Sequence, residues 1–95
     1  MNFSGFRQTL AESAPPTGIS HALEALWWDA KGDWNQAHAA AQKDDGRDGC
    51  AVHAYLHRVE GDLSNAGYWY NRAGCPQATD ALAAEWERLA RALLA

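Results

Sequence analysis

Apolar residues recur at helical spacing along most of the chain. Leu23, Leu26, Trp27 and Ala30 fall at i, i+3, i+4 and i+7, and Val52, Tyr55, Leu56 and Val59 repeat that spacing. Each set makes a one-sided stripe, which predicts an amphipathic helix with one buried face. Leu82, Trp86, Leu89 and Leu93 give a third stripe, the cleanest in the chain, over a helix from Thr79 or Asp80 to Leu94. Glu87 and Arg91 form an i,i+4 pair on its wet side. Phe3, Phe6 and Leu10 predict a short helix from Met1 to Ser13 with Ser4 as its N-cap. Ala14-Pro15-Pro16-Thr17-Gly18 stops it, because proline lacks a backbone donor and keeps its predecessor out of the helical region.

The breaks between stripes are as regular as the stripes. Ser20 caps a helix from Ala22 to about Lys31, and Gly32 ends it at a position suited to a left-handed residue. Asp33 caps the next helix, Trp34 to about Gln42, whose Ala37, Ala40 and Ala41 leave a thin face. Lys43 to Gly49 reads as a polar linker with two glycines. Cys50 to Glu60 is helical again, and Gly61 ends it. Asp62 or Ser64 starts a helix to about Ala73, closed by Gly74-Cys75-Pro76.

An offset of 29 residues superimposes the two halves. Ala22 meets Ala51, Leu23 meets Val52, Leu26 meets Tyr55, Trp27 meets Leu56 and Ala30 meets Val59. Gly32-Asp33 meets Gly61-Asp62, and Ala37 meets Ala66. Side-chain type and turn chemistry coincide in one register. A helix pair unable to bury its own face stacks on a copy of itself. The expected fold is all-α, a single domain over residues 1–95. It comprises two stacked antiparallel helical hairpins (about 21–45 and 50–75), a short N-terminal helix and a capping helix over 79–94.

Gly32-Asp33-Trp34-Asn35-Gln36-Ala37 and Gly61-Asp62-Leu63-Ser64-Asn65-Ala66 resemble the turn and second helix of a tetratricopeptide repeat. The likeness continues through the aromatics Tyr68-Trp69-Tyr70, small Ala73 and Pro76, and covers roughly His21 to Pro76. The unit here is 29 residues rather than about 34, and there are two units rather than three. The resemblance implies a stacked-hairpin fold that binds a peptide or a partner protein. The stretch His53 to Tyr70 is also similar to small, mainly bacterial proteins, a likeness that implies no activity.

Composition narrows the function classes. Apolar residues make up 47% of the chain, enough for one modest core, and five tryptophans supply bulk that alanine does not. A net charge of −4 with eight Lys and Arg leaves no basic face for nucleic acid. No apolar run suggests a signal peptide or a membrane span, and Cys50 and Cys75 are too few for a disulfide scaffold. The expectation is a cytoplasmic protein with reduced, packed thiols and no membrane contact.

Chemistry-bearing residues are sparse. His53 and His57 stand at i,i+4, a spacing at which two imidazoles can share a transition metal. Register sets them over Glu24 and Trp28, which makes Glu24 the natural third ligand. The slot a catalytic glutamate would take holds Ala54, so no zinc-protease pattern exists and no metal or cofactor is expected. Three successive aromatics, Tyr68, Trp69 and Tyr70, spread over about 200° of a helix, so at least one faces solvent or a partner. Arg58 and Arg72 lie near these rings, with surface ion pairing as their ordinary role. Asp29, Asp33, Glu60 and Asp62 sit at turns, where capping accounts for them. No catalytic residue is identified. The reading that follows is an interaction or scaffold module for a peptide, a partner protein or a second copy of the chain. Its candidate contacts are Glu24, Trp28, His53, His57, Trp69 and Arg72. The alternative is a small ligand- or metal-binding protein or enzyme with a pocket lined by His53 and His57.

Overall fold

The Gly-Asp turns build two hairpins with the same backbone. The computed structural model describes residues 1–95 and contains six α-helices and no strand. These are α1 (Phe3–Gln8), α2 (His21–Ala30), α3 (Trp34–Gln42), α4 (Arg47–Val59), α5 (Leu63–Ala73) and α6 (Leu82–Leu94). Gly32 and Gly61 adopt φ of +82° and +86°, a region in which a side chain is strained. In both turns the next amide folds back five residues, Asp33 N to Trp28 O at 3.0 Å and Asp62 N to His57 O at 2.9 Å. Both aspartates then cap the following helix, through Gln36 N at 3.1 Å and Asn65 N at 3.2 Å. Hairpin α2–α3 and hairpin α4–α5 pack through α3 and α2 against α4. Leu26 and Tyr55, equivalent in the 29-residue register, are both buried in the main core.

That core runs between α2, α3 and α4, with Ala22, Leu26, Trp27, Ala37, Ala41, Val52 and Leu56 at its centre. The thin Ala face of α3 is buried as expected. The N-terminal segment differs from its expectation. Its α-helix spans only Phe3–Gln8, a 3-10 turn covers Thr9–Ala11, and Asn2 is the cap, accepting from Gly5 N at 2.8 Å. Asn2 holds extended backbone, which a cap requires, whereas Ser4 lies inside the first turn. Phe6 is buried, Phe3 and Leu10 pack beside it, and the Trp27 indole donates to Thr9 Oγ1 at 3.1 Å. Lys31 Nζ ties the segment down through Leu10 O and Glu12 O.

The linker is shorter than its composition implies. Helix α4 begins at Arg47, with Gly46 as cap, so Gly49 is an interior helical residue. A Cβ there would lie 1.7 Å from the Asp44 backbone oxygen, so only glycine lets the α3–α4 connection cross so closely. Gly67 on α5 differs, because its Cβ would meet only the amide end of the Gln77 side chain.

Helix α6 closes the stack in a way its stripe conceals. Trp86, Leu89 and Leu93 pack on the main core, and the Trp86 indole donates to Leu26 O at 2.9 Å. Leu82, assigned to the stripe, is exposed at the first turn. The residue buried on the next turn is Glu85, 1% exposed. Its Oε1 accepts from Arg58 Nη1 at 2.8 Å and its Oε2 from the Tyr70 hydroxyl at 2.6 Å. Arg58 also donates to the Asp80 carbonyl. Arg58 is therefore the partner of a buried carboxylate rather than a surface pair. Asp29 likewise does not cap: its carboxylate accepts from the Tyr55 hydroxyl at 2.8 Å, joining α2 to α4, and burial raises its pKa. Cys50 and Cys75 are free thiols.

Two stability tests follow. Gly49→Ala is expected to cost about 1–3 kcal/mol in urea unfolding through overpacking. Gly67→Ala is expected to be neutral or to stabilise by up to about 1 kcal/mol, from helix propensity. Equal effects would contradict the close crossing at Asp44. Glu85→Ala is expected to cost about 3 kcal/mol because it leaves Arg58 with Asp80 alone and the buried Tyr70 hydroxyl without its acceptor, and pairing Glu85→Leu with Arg58→Met should recover the part due to Arg58. A double variant no better than Glu85→Ala would show that the ion pair itself is essential.

Candidate functional site

Ring-bearing side chains from three consecutive helices converge where the hairpins meet. Helix α3 supplies Trp34 and His38, one turn apart on one face. Helix α4 supplies His53 and His57 at the same spacing, and α5 supplies Trp69. The Trp34 indole donates to Leu56 O at 2.8 Å, which fixes the start of α3 against α4. His38 stacks on Trp34 at 4.8 Å and stands edge-on to His53 at 4.6 Å. His53 stacks on Trp69 with centroids 3.8 Å apart and lies 4.9 Å from His57. Arg72 lies over the Trp69 ring at 4.9 Å and reaches the Tyr68 ring at 6.0 Å.

The three imidazoles each present a ring nitrogen within 4.8 Å of the others. His53 and His57 are buried, and His38 is half-buried. His57 Nδ1 is hydrogen-bonded to Glu60 Oε1 at 2.7 Å, so the Glu60 side chain orients a histidine while its backbone forms the C-cap of α4. A proton on Nδ1 leaves the lone pair on Nε2. His38 and His53 hold no side-chain hydrogen bond, and no fully enclosed side-chain nitrogen lacks a partner, so their free nitrogens border solvent. His53 borders it at a groove lined also by Gln42, Asp44, Asp45, Trp69 and Arg72. Burial, then repulsion from His38, His57 and Arg72, holds the His53 pKa down at about 4. Burial and His57 lower that of His38 as well, with Glu60 opposing. Both rings are neutral near pH 7.

The residues singled out from sequence separate into two groups. His53, His57, Trp69 and Arg72 come together. Glu24 pairs with His21 of its own helix at 3.1 Å, and Trp28 packs edge-on against Trp27 in the main core. The third nitrogen donor beside His53 and His57 is His38, not Glu24. With His53 and His57 buried, the first helices do not present them on an open face. The 29-residue register points away from His38, since its equivalent is Gly67. The signal available was a second i,i+4 ring pair, Trp34 and His38, on the helix next in sequence to the first.

Of the aromatic triplet, Tyr70 is buried, Trp69 is half-buried and Tyr68 is exposed, which fulfils the angular argument. No helix is long and apolar enough to cross a membrane. Comparison with protein-family models, curated proteins and solved structures finds no match.

The depressed histidines set a pH dependence. An unfolded histidine titrates near 6.5, so between about pH 6.5 and 4 the unfolded chain binds more protons than the folded one. Their contribution to stability is full above pH 6.5 and is lost as pH falls toward 4. Allowing for solvent screening of a partly wet cluster, the loss is on the order of 2 kcal/mol. Asp29, with a raised pKa, acts in the opposite sense. The informative measurement is the difference between wild type and His53→Gln in urea unfolding from pH 4.5 to 7.5. Wild type should lose more stability on acidification, and parallel curves would contradict the assignment.

Proposed function

We propose that the chain is a protein-interaction module that docks a helical segment of a partner on the open side of α5. The supporting observation is the contrast between two equivalent residues. Trp34 opens α3 and is covered by the next helix, α4, through its bond to Leu56 O and its contact with His57. Leu63 opens α5 at the same place in the repeat, and α6 packs on α4, α2 and α1 and leaves it uncovered. It is 64% exposed, the most exposed large apolar side chain in the chain.

The rest of the α5 surface has the composition of a recognition face. Tyr68 is 50% exposed, and Arg72 lies over Trp69 and Tyr68 from the following turn. Tyrosine, tryptophan and arginine carry a disproportionate share of binding energy at protein interfaces, where they combine area with directional polar contacts. A partner helix laid against α5 would extend the stack as α4 extends α3. The tetratricopeptide-like turn and second helix support the same reading, with the contact surface moved from the first helices to α5. Glu24 and Trp28 lie outside this surface, and Trp69 and Arg72 belong to it.

The test is a charge placed on the exposed apolar residue. Leu63→Asp with Tyr68→Ala should leave the unfolding free energy within about 0.5 kcal/mol of wild type, because both side chains are exposed. It should also abolish retention of whatever the tagged wild-type chain captures from cells of its source. Partners retained equally by both forms would remove the reading. Sedimentation of the purified chain separates a foreign partner from a second copy, since self-association through α5 would be concentration-dependent and lost in the variant.

A further inference from the structure

We propose that His38, His53 and His57 form a three-histidine site for a divalent first-row transition ion, zinc foremost, with its remaining coordination position open to the groove beside Trp69. The inference rests on four observations. Three imidazole nitrogens, from two helices, already lie within 4.8 Å of one another. Tetrahedral zinc with bonds of about 2.0–2.1 Å needs its nitrogens about 3.3 Å apart. Binding therefore draws the nitrogens together by up to about 1.5 Å.

His57 already has the outer-sphere partner that metal-bound histidines ordinarily have. Its Nδ1–H donates to the Glu60 carboxylate at 2.7 Å, which fixes the tautomer and aims Nε2 as the ligand. His38 and His53 hold no competing hydrogen bond, so neither breaks one to bind. The imidazole rings are also braced. His53 is flanked by Trp69 at 3.8 Å and His38 by Trp34 at 4.8 Å, and the Trp34 indole is anchored to Leu56 O. Stacking of this kind limits rotation, so less entropy is lost on coordination.

All-nitrogen, neutral donors select zinc, copper, nickel or cobalt over magnesium and calcium, which prefer oxygen. Asp44 and Asp45 line the same groove as His53 and Arg72, so the groove carries acidic as well as basic charge. A second cluster, His57, Glu60 and Asp62, also brings three ligand atoms within 4.8 Å, but its carboxylates are exposed and it shares His57. The two arrangements are mutually exclusive uses of one imidazole and differ in their dependence on His38 and His53.

The experiment is calorimetric titration of chelator-treated protein with Zn²⁺ near pH 7.5, repeated on variants. Wild type is expected to bind one Zn²⁺ per chain. His38→Ala, which alters a half-buried ring, and His53→Ala should each weaken binding by about 100-fold, the scale of losing one ligand of three. Glu60→Gln should weaken it by about 10-fold through the outer sphere alone. Circular dichroism and the unfolding midpoint of each metal-free variant establish that it is folded. His38→Gln serves in place of any His38→Ala that is not. Cobalt substitution adds an independent reading, because tetrahedral Co²⁺ gives intense visible bands that should vanish in His38→Ala. Affinity unchanged in His38→Ala and His53→Ala but lost in Glu60→Gln would assign the ion to the exposed cluster and overturn the proposal. Substoichiometric binding by folded wild type would overturn it as well.

Discussion

The Glu85 carboxylate is the junction on which the closed form of the molecule depends. One oxygen holds Arg58 of α4 and the other holds Tyr70 of α5, while the helix that carries it packs its apolar side onto α2. A buried carboxylate is costly unless its charge and both lone-pair sets are matched, and here a guanidinium and a hydroxyl match them. The arrangement is directional in a way that leucine packing is not. It sets the rotation of α6 and the spacing between α4 and α5 together. Trp69 is the neighbour of Tyr70 on α5, so the same junction fixes how the Trp69 ring meets His53.

What could be read from the chain beforehand follows the range of the forces involved. Hairpins were legible because each turn is decided locally: a left-handed glycine, a capping aspartate one residue on, and an amide folding back onto the preceding helix. Those features need no knowledge of the neighbours. Register was legible because the apolar stripes and the turns repeat at one offset. The start of α4 was not, since Arg47, Asp48 and Gly49 resemble linker in composition. They become helix because Gly49 lets the chain pass against Asp44.

The polar interior was the illegible part. Amphipathic reasoning assigns Glu85 to the wet side by its charge, and nothing within α6 reveals that Arg58 and Tyr70 wait beneath it. Asp29, Glu60 and Arg58 fell under surface or capping explanations for the same reason. Each has a partner on another turn or another helix. His53 and His57 stood out by spacing, but the third donor depended on which helix lies beside α4. Repeat register pointed back to α2 and Glu24. The packing that decides the question is the contact of α3 with α4, where the Trp34 anchor brings His38 across.

Alanine on α3 connects these facts. Ala37, Ala40 and Ala41 let α3 lie close on the core. That closeness brings the other edge of α3, which carries Trp34 and His38, over the His53–His57 face of α4. Larger residues at the three alanines would lift α3 away and open the imidazole cluster, since helix separation follows side-chain size at the contact. A core built only for stability would fill the resulting seam with leucine or valine, whose burial is favourable without any hydrogen-bond requirement. The seam holds three imidazoles instead, two of them, His38 and His53, with pKa values lowered by burial and braced by two tryptophans. Burial of mutually repelling bases lowers stability in acid, and apolar packing alone gives no reason to accept that cost. The proposed metal ion would supply one, since coordination by His38 of α3 with His53 and His57 of α4 would join the two helices.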